Sequence, residues 1–248
     1  ADDNSIGILT YFVNEIRLGD KFTPYSMVSA IEPSSNENSI IPENMPDDEI
    51  IINQWLADDI GAKVGDTLEL KYFVQAPMRK LEEKNASFKV AKILPMQGAA
   101  IDRDLMPDFP GLSDVNNCRD WDTGIDIDLN KIRDRDEKYW DDYKGTPKAF
   151  ITLSAGQKLW SNRYGNLTAI RFPAANHSES DIAQKILSKI SPSSVGLFFT
   201  PVRELGSKAG GGTTDFGQLF LGLSMFLIFA ALILTGLVFV FGVESRSE

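Results

Sequence analysis

The sequence predicts an α+β globular part followed by one membrane-spanning helix, and three observations carry that prediction. Leu219 to Val243 holds no charged residue, with Ser224 and Thr235 its only polar side chains. Residues 49–94 read as short alternating strands around one small helix, the pattern of a compact barrel or sandwich. Residues 148–200 read as strand, helix and strand, a small α+β unit.

The elements follow in order. Residues 8–18 (ILTYFVNEIRL) and 25–32 (YSMVSAIE) are rich in β-branched and aromatic residues and are parted by Gly19-Asp20 and Lys21-Phe22-Thr23-Pro24, which predicts a hairpin. Residues 33–48 are polar and proline-rich, a surface crossing. Glu49-Ile50-Ile51-Ile52 predicts a buried strand, and Asn53 is placed to cap a two-turn helix that Gly61 ends. Trp55, Leu56 and Ile60 then share the apolar face of that helix. Residues 67–74 and 86–94 alternate as strands. From Gln97 to Thr146 periodicity fades into an aspartate-rich segment studded with aromatics, with one helix expected near Leu129–Tyr143. There Arg133, Arg135 and Lys138 are expected to pair with nearby acids. Strands are expected at 148–153, 167–172 and 195–200, a short helix at 157–164 and an amphipathic helix at 181–190. Residues 207–217 read as a flexible linker, 218–243 as the transmembrane helix and 244–248 as the start of a cytoplasmic segment.

A helix rising 1.5 Å per residue needs about 20 apolar residues to cross roughly 30 Å of hydrocarbon, and the final run is long enough. The formal net charge is −10, from 35 acidic and 25 basic residues. That balance excludes nucleic acid as a partner, since phosphates require clustered Lys and Arg, and argues against a domain lying flat on anionic lipid. Cys118 is the lone cysteine, so the chain holds no internal disulfide and no thiolate metal site. The opening Ala1-Asp2-Asp3-Asn4 lacks a basic stretch and an apolar core, so no signal peptide is expected within the sequence. The polar start and the short Glu244–Glu248 tail are expected to be the cut edges of a longer protein.

Catalytic chemistry is hard to assemble from these residues. The one histidine, His177, lies in a polar turn and reads as a solvated loop residue. Ser154 sits in Thr-Leu-Ser-Ala-Gly without the first glycine of a nucleophile elbow, and His177 would be its only base. The glycines of residues 206–214 lack the Gly-Lys-Ser/Thr ending of a phosphate-binding loop. Asp122, Asp126 and Asp128 carry the carboxylates a calcium loop uses, at a spacing that fits a solvated acidic face better. Trp121 and Trp140 are either ligand contacts or core, with core favoured. No catalytic, cofactor-binding or metal residue is assigned, no cofactor is expected, and the chain reads as a non-enzyme.

Residues 49–70 (EIIINQWLADDIGAKVGDTLEL) resemble the strand, helix, LG-x-x-x-GD, strand signature of FtsX-like ABC-transporter permeases, and within them the periplasmic core domain of the MacB and LolC/LolE type. Phe216 to Leu232 and the exit Val243-Glu-Ser-Arg-Ser-Glu are similar to the span that follows that domain, and Lys148–Trp160 with Leu167–Phe172 also look familial. The Leu-Gly pair is Ile60-Gly61 here. The resemblance implies a porter-like α/β subdomain from residues 1–35 and 148–206, with an inserted β-rich sabre-like subdomain from 36–147. It implies a bacterial inner (plasma) membrane location with residues 1–217 extracytoplasmic. It further implies a cytoplasmic ABC ATPase subunit as partner, a homo- or heterodimer of permeases, and a periplasmic adaptor or lipoprotein partner. The function so implied is mechanotransmission: ATP hydrolysis moving this domain to shift or release a lipid, lipoprotein, peptide or similar substrate. A membrane-anchored ligand-binding or sensor domain without transport is the alternative.

Overall fold

The computed structural model describes residues 5–36, 39–76, 78, 80–122, 124, 127–172, 178–210 and 216–246. Seven strands and six α-helices are formed among them: β1 (Ile6–Leu18), β2 (Lys21–Ile31), β3 (Glu49–Asn53), α1 (Gln54–Ile60), β4 (Thr67–Gln75), β5 (Leu81–Leu94), α2 (Asp134–Tyr143), β6 (Ala149–Thr152), α3 (Leu153–Trp160), β7 (Ala169–Arg171), α4 (Glu179–Lys189), α5 (Val202–Gly210) and α6 (Phe216–Glu244). The chain divides into two units, residues 1–178 and 179–248.

The first unit is built on a closed barrel. The strand order is β2-β6-β3-β5-β4-β1-β7, and β2 also pairs with β1, so six strands form a ring and β7 hangs outside it on β1. The expected architecture, a porter-like α/β subdomain with an inserted sabre-like one, is therefore overturned. β6, from the far end of the sequence, lies parallel to β2 through Val28↔Ala149 and antiparallel to β3 through Ile51↔Phe150. β1 pairs with β4 through Ile16↔Leu70. The physical reason is edge satisfaction: a hairpin and a lone strand both leave unpaired backbone groups, and ring closure with the middle strands pairs them.

Local signals explain the elements. Gly19 takes φ 57° at the first of the two turn residues joining β1 to β2, a conformation that suits glycine. The Asn53 side chain accepts from Leu56 N at 2.9 Å, and Gly61 ends α1 at φ 73°. The continuous Ile50-Ile51-Ile52 run is buried on both faces: Ile50 and Ile52 point into the barrel core, Ile51 into a second core outside it. The barrel core also takes Leu56, Ala57 and Ile60 from α1 and Ala155 and Trp160 from α3. The second core gathers Ile8, Ile31, Ile41, Leu105 and Phe150, and a third gathers Met27, Leu112, Cys118, Ile132 and Trp140. Leu112, Cys118, Ile132 and Trp140 of the aspartate-rich segment thus cover the outer face of β1 and β2.

Several elements differ from expectation: β2 starts at Lys21 and β5 at Leu81, each four or five residues early. α3 starts at Leu153 because the Thr152 hydroxyl accepts from Ala155 N at 3.2 Å, an N-cap at the end of the strand signal. Residues 195–200 form no strand: Pro192–Val195 is a 3₁₀ turn closed by Gly196 at φ 82°. In the second unit, α5 makes residues 207–210 of the expected linker helical, and residues 211–215 lie outside the described ones. α6 is long and apolar enough to cross a membrane. Its Thr235 hydroxyl donates to Ala231 O at 2.7 Å, so this polar group is satisfied within the helix, as a lipid environment requires.

Candidate functional site

Three concave places on the first unit bring chemistry-bearing side chains together. The first is a small cavity between β2 and α2. Lys148, just before β6, is held by backbone bonds on both sides, donating its N–H to Met27 O (3.0 Å) and accepting from Asn53 N (2.9 Å). Its ammonium lies 4.4 Å from the centroid of Trp55 and 4.7 Å from that of Tyr139. Burial pushes its pKa down to about 8, with Asp136 and Asp59 pulling the other way. Tyr139 accepts from Asn53 Nδ2 (3.2 Å) and donates to Thr146 O (3.0 Å), and burial raises its phenol. Cys118 also lines the cavity, and burial first, then Glu137, raises its thiol, so it stays protonated and unreactive. The cavity measures about 30 Å³, the scale of one water and far too small for an organic substrate.

Beside it lies a charge cluster that sequence spacing did not reveal. Asp59, in the last turn of α1, sits at the wrong pole of the helix dipole. Its fully buried side chain accepts from the Thr23 hydroxyl and pairs with Arg133 Nη2 (2.5 Å) and Arg135 Nη1 (2.6 Å). Arg133 grips Asp136 in a fork, Nε to Oδ2 at 2.8 Å and Nη2 to Oδ1 at 2.9 Å. That hydrogen bonding raises the Arg133 pKa. The expected local pairing within 129–143 is thus only part of the story: both arginines reach across to α1. A Lys heading the otherwise apolar run of residues 149–153 was the one sequence signal for Lys148.

The second place is an open acidic hollow lined by Arg119, Asp120, Asp134, Glu137 and Asp141. Arg119 pairs with Asp134 at 3.0 Å, and Glu137 accepts from Cys118 N and Arg119 N. Asp120, Asp134 and Glu137 are thus engaged by the chain itself, Asp120 through Asn117 Nδ2 at 3.2 Å.

The third is a groove of about 330 Å³, within the range of ligand pockets. Phe12, Met27, Phe73, Leu81, Pro107 and Phe109 form much of its wall, and none of its lining side chains is charged. Several polar side chains along it are engaged: Tyr11 donates to Phe73 O (2.6 Å), Thr10 to Leu105 O (2.6 Å), Asn14 to Glu83 (2.7 Å) and Thr168 to Ile8 O (3.2 Å).

The residues weighed from sequence are scattered. Ser154 donates to Asp47, which also takes the Thr152 hydroxyl (2.5 Å) and the Lys158 ammonium (2.6 Å). This clasp ties the 33–48 crossing to α3. Asp122 N donates to Gly111 O (2.9 Å), and Asp128 caps the 3₁₀ turn Leu129–Lys131 through Asn130 N (3.1 Å). Asp126 and His177 lie outside the described residues. Among the described residues no three His, Cys, Asp or Glu side chains are grouped to hold a metal ion. Trp140 is core, and Trp121 packs edge-on against it at 5.1 Å.

Compared with known proteins, the chain matches no family model and no curated protein.

Proposed function

We propose that this chain is the extracytoplasmic domain and adjoining span of an ABC-type permease in a bacterial inner membrane. In this reading ATP hydrolysis by a partner cytoplasmic ATPase moves the domain, and the motion shifts or releases a lipid, lipoprotein, peptide or similar substrate. The observation that carries the reading is the pairing of a closed, fully cored barrel with a 29-residue apolar helix in the same chain. A ring of paired strands with a packed interior moves as one body, which is what a mechanical coupler needs. The role calls for no bond chemistry: the buried Asp59 carboxylate, held by the half-buried Arg133 and by Arg135, ties α1 to α2 and stiffens the body.

The test is made on the intact gene product, purified gently from native membranes, with stoichiometric partners identified by mass spectrometry and ATPase activity measured. A copurifying ATPase, uncoupled from transport when Asp59→Asn loosens the barrel, is the expected result. No ATPase would sink the reading. The uncharged groove supports a second one, an anchored binding domain, and that outcome would leave it standing.

A further inference from the structure

The groove coincides with a break in the barrel seam. β7 pairs with β1 only at Ile6–Ile8, and β4 pairs with it only at Glu15–Arg17. Among the described residues no strand pairs with this edge of β1 between Leu9 and Asn14. The edge's orientation is fixed by its neighbours. Thr10 donates its backbone N–H to Thr168 Oγ1 (2.9 Å), and Ile8 O accepts from Thr168 N (2.8 Å). In a β-ladder every second residue turns its N–H and C=O to the same side. The backbone of Phe12 therefore faces the groove, between the strands that stop short on either side.

Tyr11 shows why β4 leaves early. Its ring stacks on Trp160 in the barrel interior (4.9 Å), and its hydroxyl takes Phe73 O, which would otherwise be open to a ladder bond. The seam is floored from within by this aromatic pair and stays open outside. Natural edges are usually blocked by charge, proline or a bulge. The β1 residues here, Thr10, Tyr11, Phe12, Val13 and Asn14, include neither charge nor proline.

We propose that this seam is a docking site for an extended, uncharged peptide segment of a partner protein, added as a strand along residues 10–14 of β1. The seam offers room for about four residues at roughly 3.4 Å each. Main-chain bonds to Phe12 supply register, and alternate apolar side chains enter the wall formed by Phe73, Leu81 and Phe109. The wall bears no charge on a chain of net charge −10, so it selects an uncharged segment. The backbone also decides between a peptide and an alkyl chain. An alkyl chain would cover the Phe12 amide without pairing it, leaving a desolvated donor unsatisfied; a peptide strand pairs it. The proposal stands apart from the transport reading.

The probe is a set of capped hexapeptides alternating Thr with Val, Ile, Leu or Phe, added to the full chain in detergent micelles. Each is compared with its N-methylated counterpart and with dodecanol. Peptide binding should slow amide exchange across residues 9–14, and N-methylation should weaken it at least tenfold. Leu81→Glu, at a side chain already 41% exposed, should also weaken it tenfold while leaving exchange in the rest of the barrel unchanged. Binding by none of the hexapeptides, equal binding after N-methylation, or occupancy by dodecanol alone would each overturn the proposal.

Discussion

The barrel unit and the C-terminal unit use apolar residues in opposite ways. In the barrel, Phe150, Ile50, Ile52, Leu68 and Leu70 are fully buried against other side chains. In the C-terminal unit Leu197, Phe198 and Phe199 and the whole apolar surface of α6 are exposed. Removal of apolar area from water stabilises the first within its own core, and the second gains that stabilisation where lipid or protein covers it. The contrast teaches that the packed core and the helix apolar enough to cross a membrane reside in separate stretches of this chain, and single substitutions can separate them.

The strongest way to break the comparison is to truncate one phenylalanine in each unit. Phe150→Ala should destabilise the barrel by about 3–5 kcal/mol, because the side chain fills a second core that closes around it. Phe229→Ala on α6, at a residue 57% exposed, should leave barrel stability within about 0.5 kcal/mol. All the tryptophans (55, 121, 140 and 160) lie in the barrel unit, so urea unfolding followed by their fluorescence reports that unit alone. Equal losses from both substitutions would show that the units are not energetically separate.

Charge follows the same division. α6 holds none along its apolar run, while the barrel unit buries the Asp59 carboxylate under two arginines. Asp59→Asn should destabilise the barrel by about 2–3 kcal/mol, below the full value for a broken buried pair, because Arg133 and Arg135 are 39% and 46% exposed and can turn to water. An Asn that left stability unchanged would mean the cluster is decoration on an already determined fold.

These residues also show what the sequence could disclose. Asn53, Gly61 and the alternation of residues 67–74 were legible because a cap or a strand face depends on neighbours within a few positions. Barrel closure was not, since Val28↔Ala149 and Ile51↔Phe150 join residues far apart, and many strand orders satisfy the same local pattern. The site fared likewise. Arg133 and Arg135 were visible as helix charges, yet their partner Asp59 lies 74 positions from Arg133. The open stretch of β1 is invisible in principle from sequence, because it is defined by where two other strands stop.

Lys148 sharpens the comparison through pH. Its depressed pKa, about 8 against about 10.4 when unfolded, means the unfolded chain binds the extra proton between these values. Stability contributed by this group is therefore lowest below pH 8 and rises as pH climbs toward 10.4. Cys118 opposes it, since a raised thiol pKa makes the folded state keep a proton the unfolded state loses. Lys148→Met isolates the lysine: the variant should gain about 1–2 kcal/mol over wild type at pH 7, and the gain should shrink as pH rises past 8. Urea midpoints of both proteins across pH 6–10 check it (roughly the window of the two pKa values). A constant difference across that range would show that the ammonium is neutralised by Asp59 and Asp136 and carries no burial penalty.

The smallest expected effect lies where the barrel unit most resembles an ordinary surface. The ammonium of Lys158, then the hydroxyls of Ser154 and Thr152, hold the Asp47 carboxyl down to about 2. A depressed carboxylate stabilises the fold above its unfolded value near 3.9, and that contribution drains away as pH falls through 2. Asp47 is 37% exposed and Lys158 71%, so water screens the pair and its worth is below about 1 kcal/mol. Asp47→Asn should lower stability by a few tenths of a kcal/mol at pH 7, less in high salt, with the difference vanishing near pH 2. A loss as large as that of Asp59→Asn would mean that the clasp between the 33–48 crossing and α3, rather than the buried charge cluster, is what closes this end of the barrel.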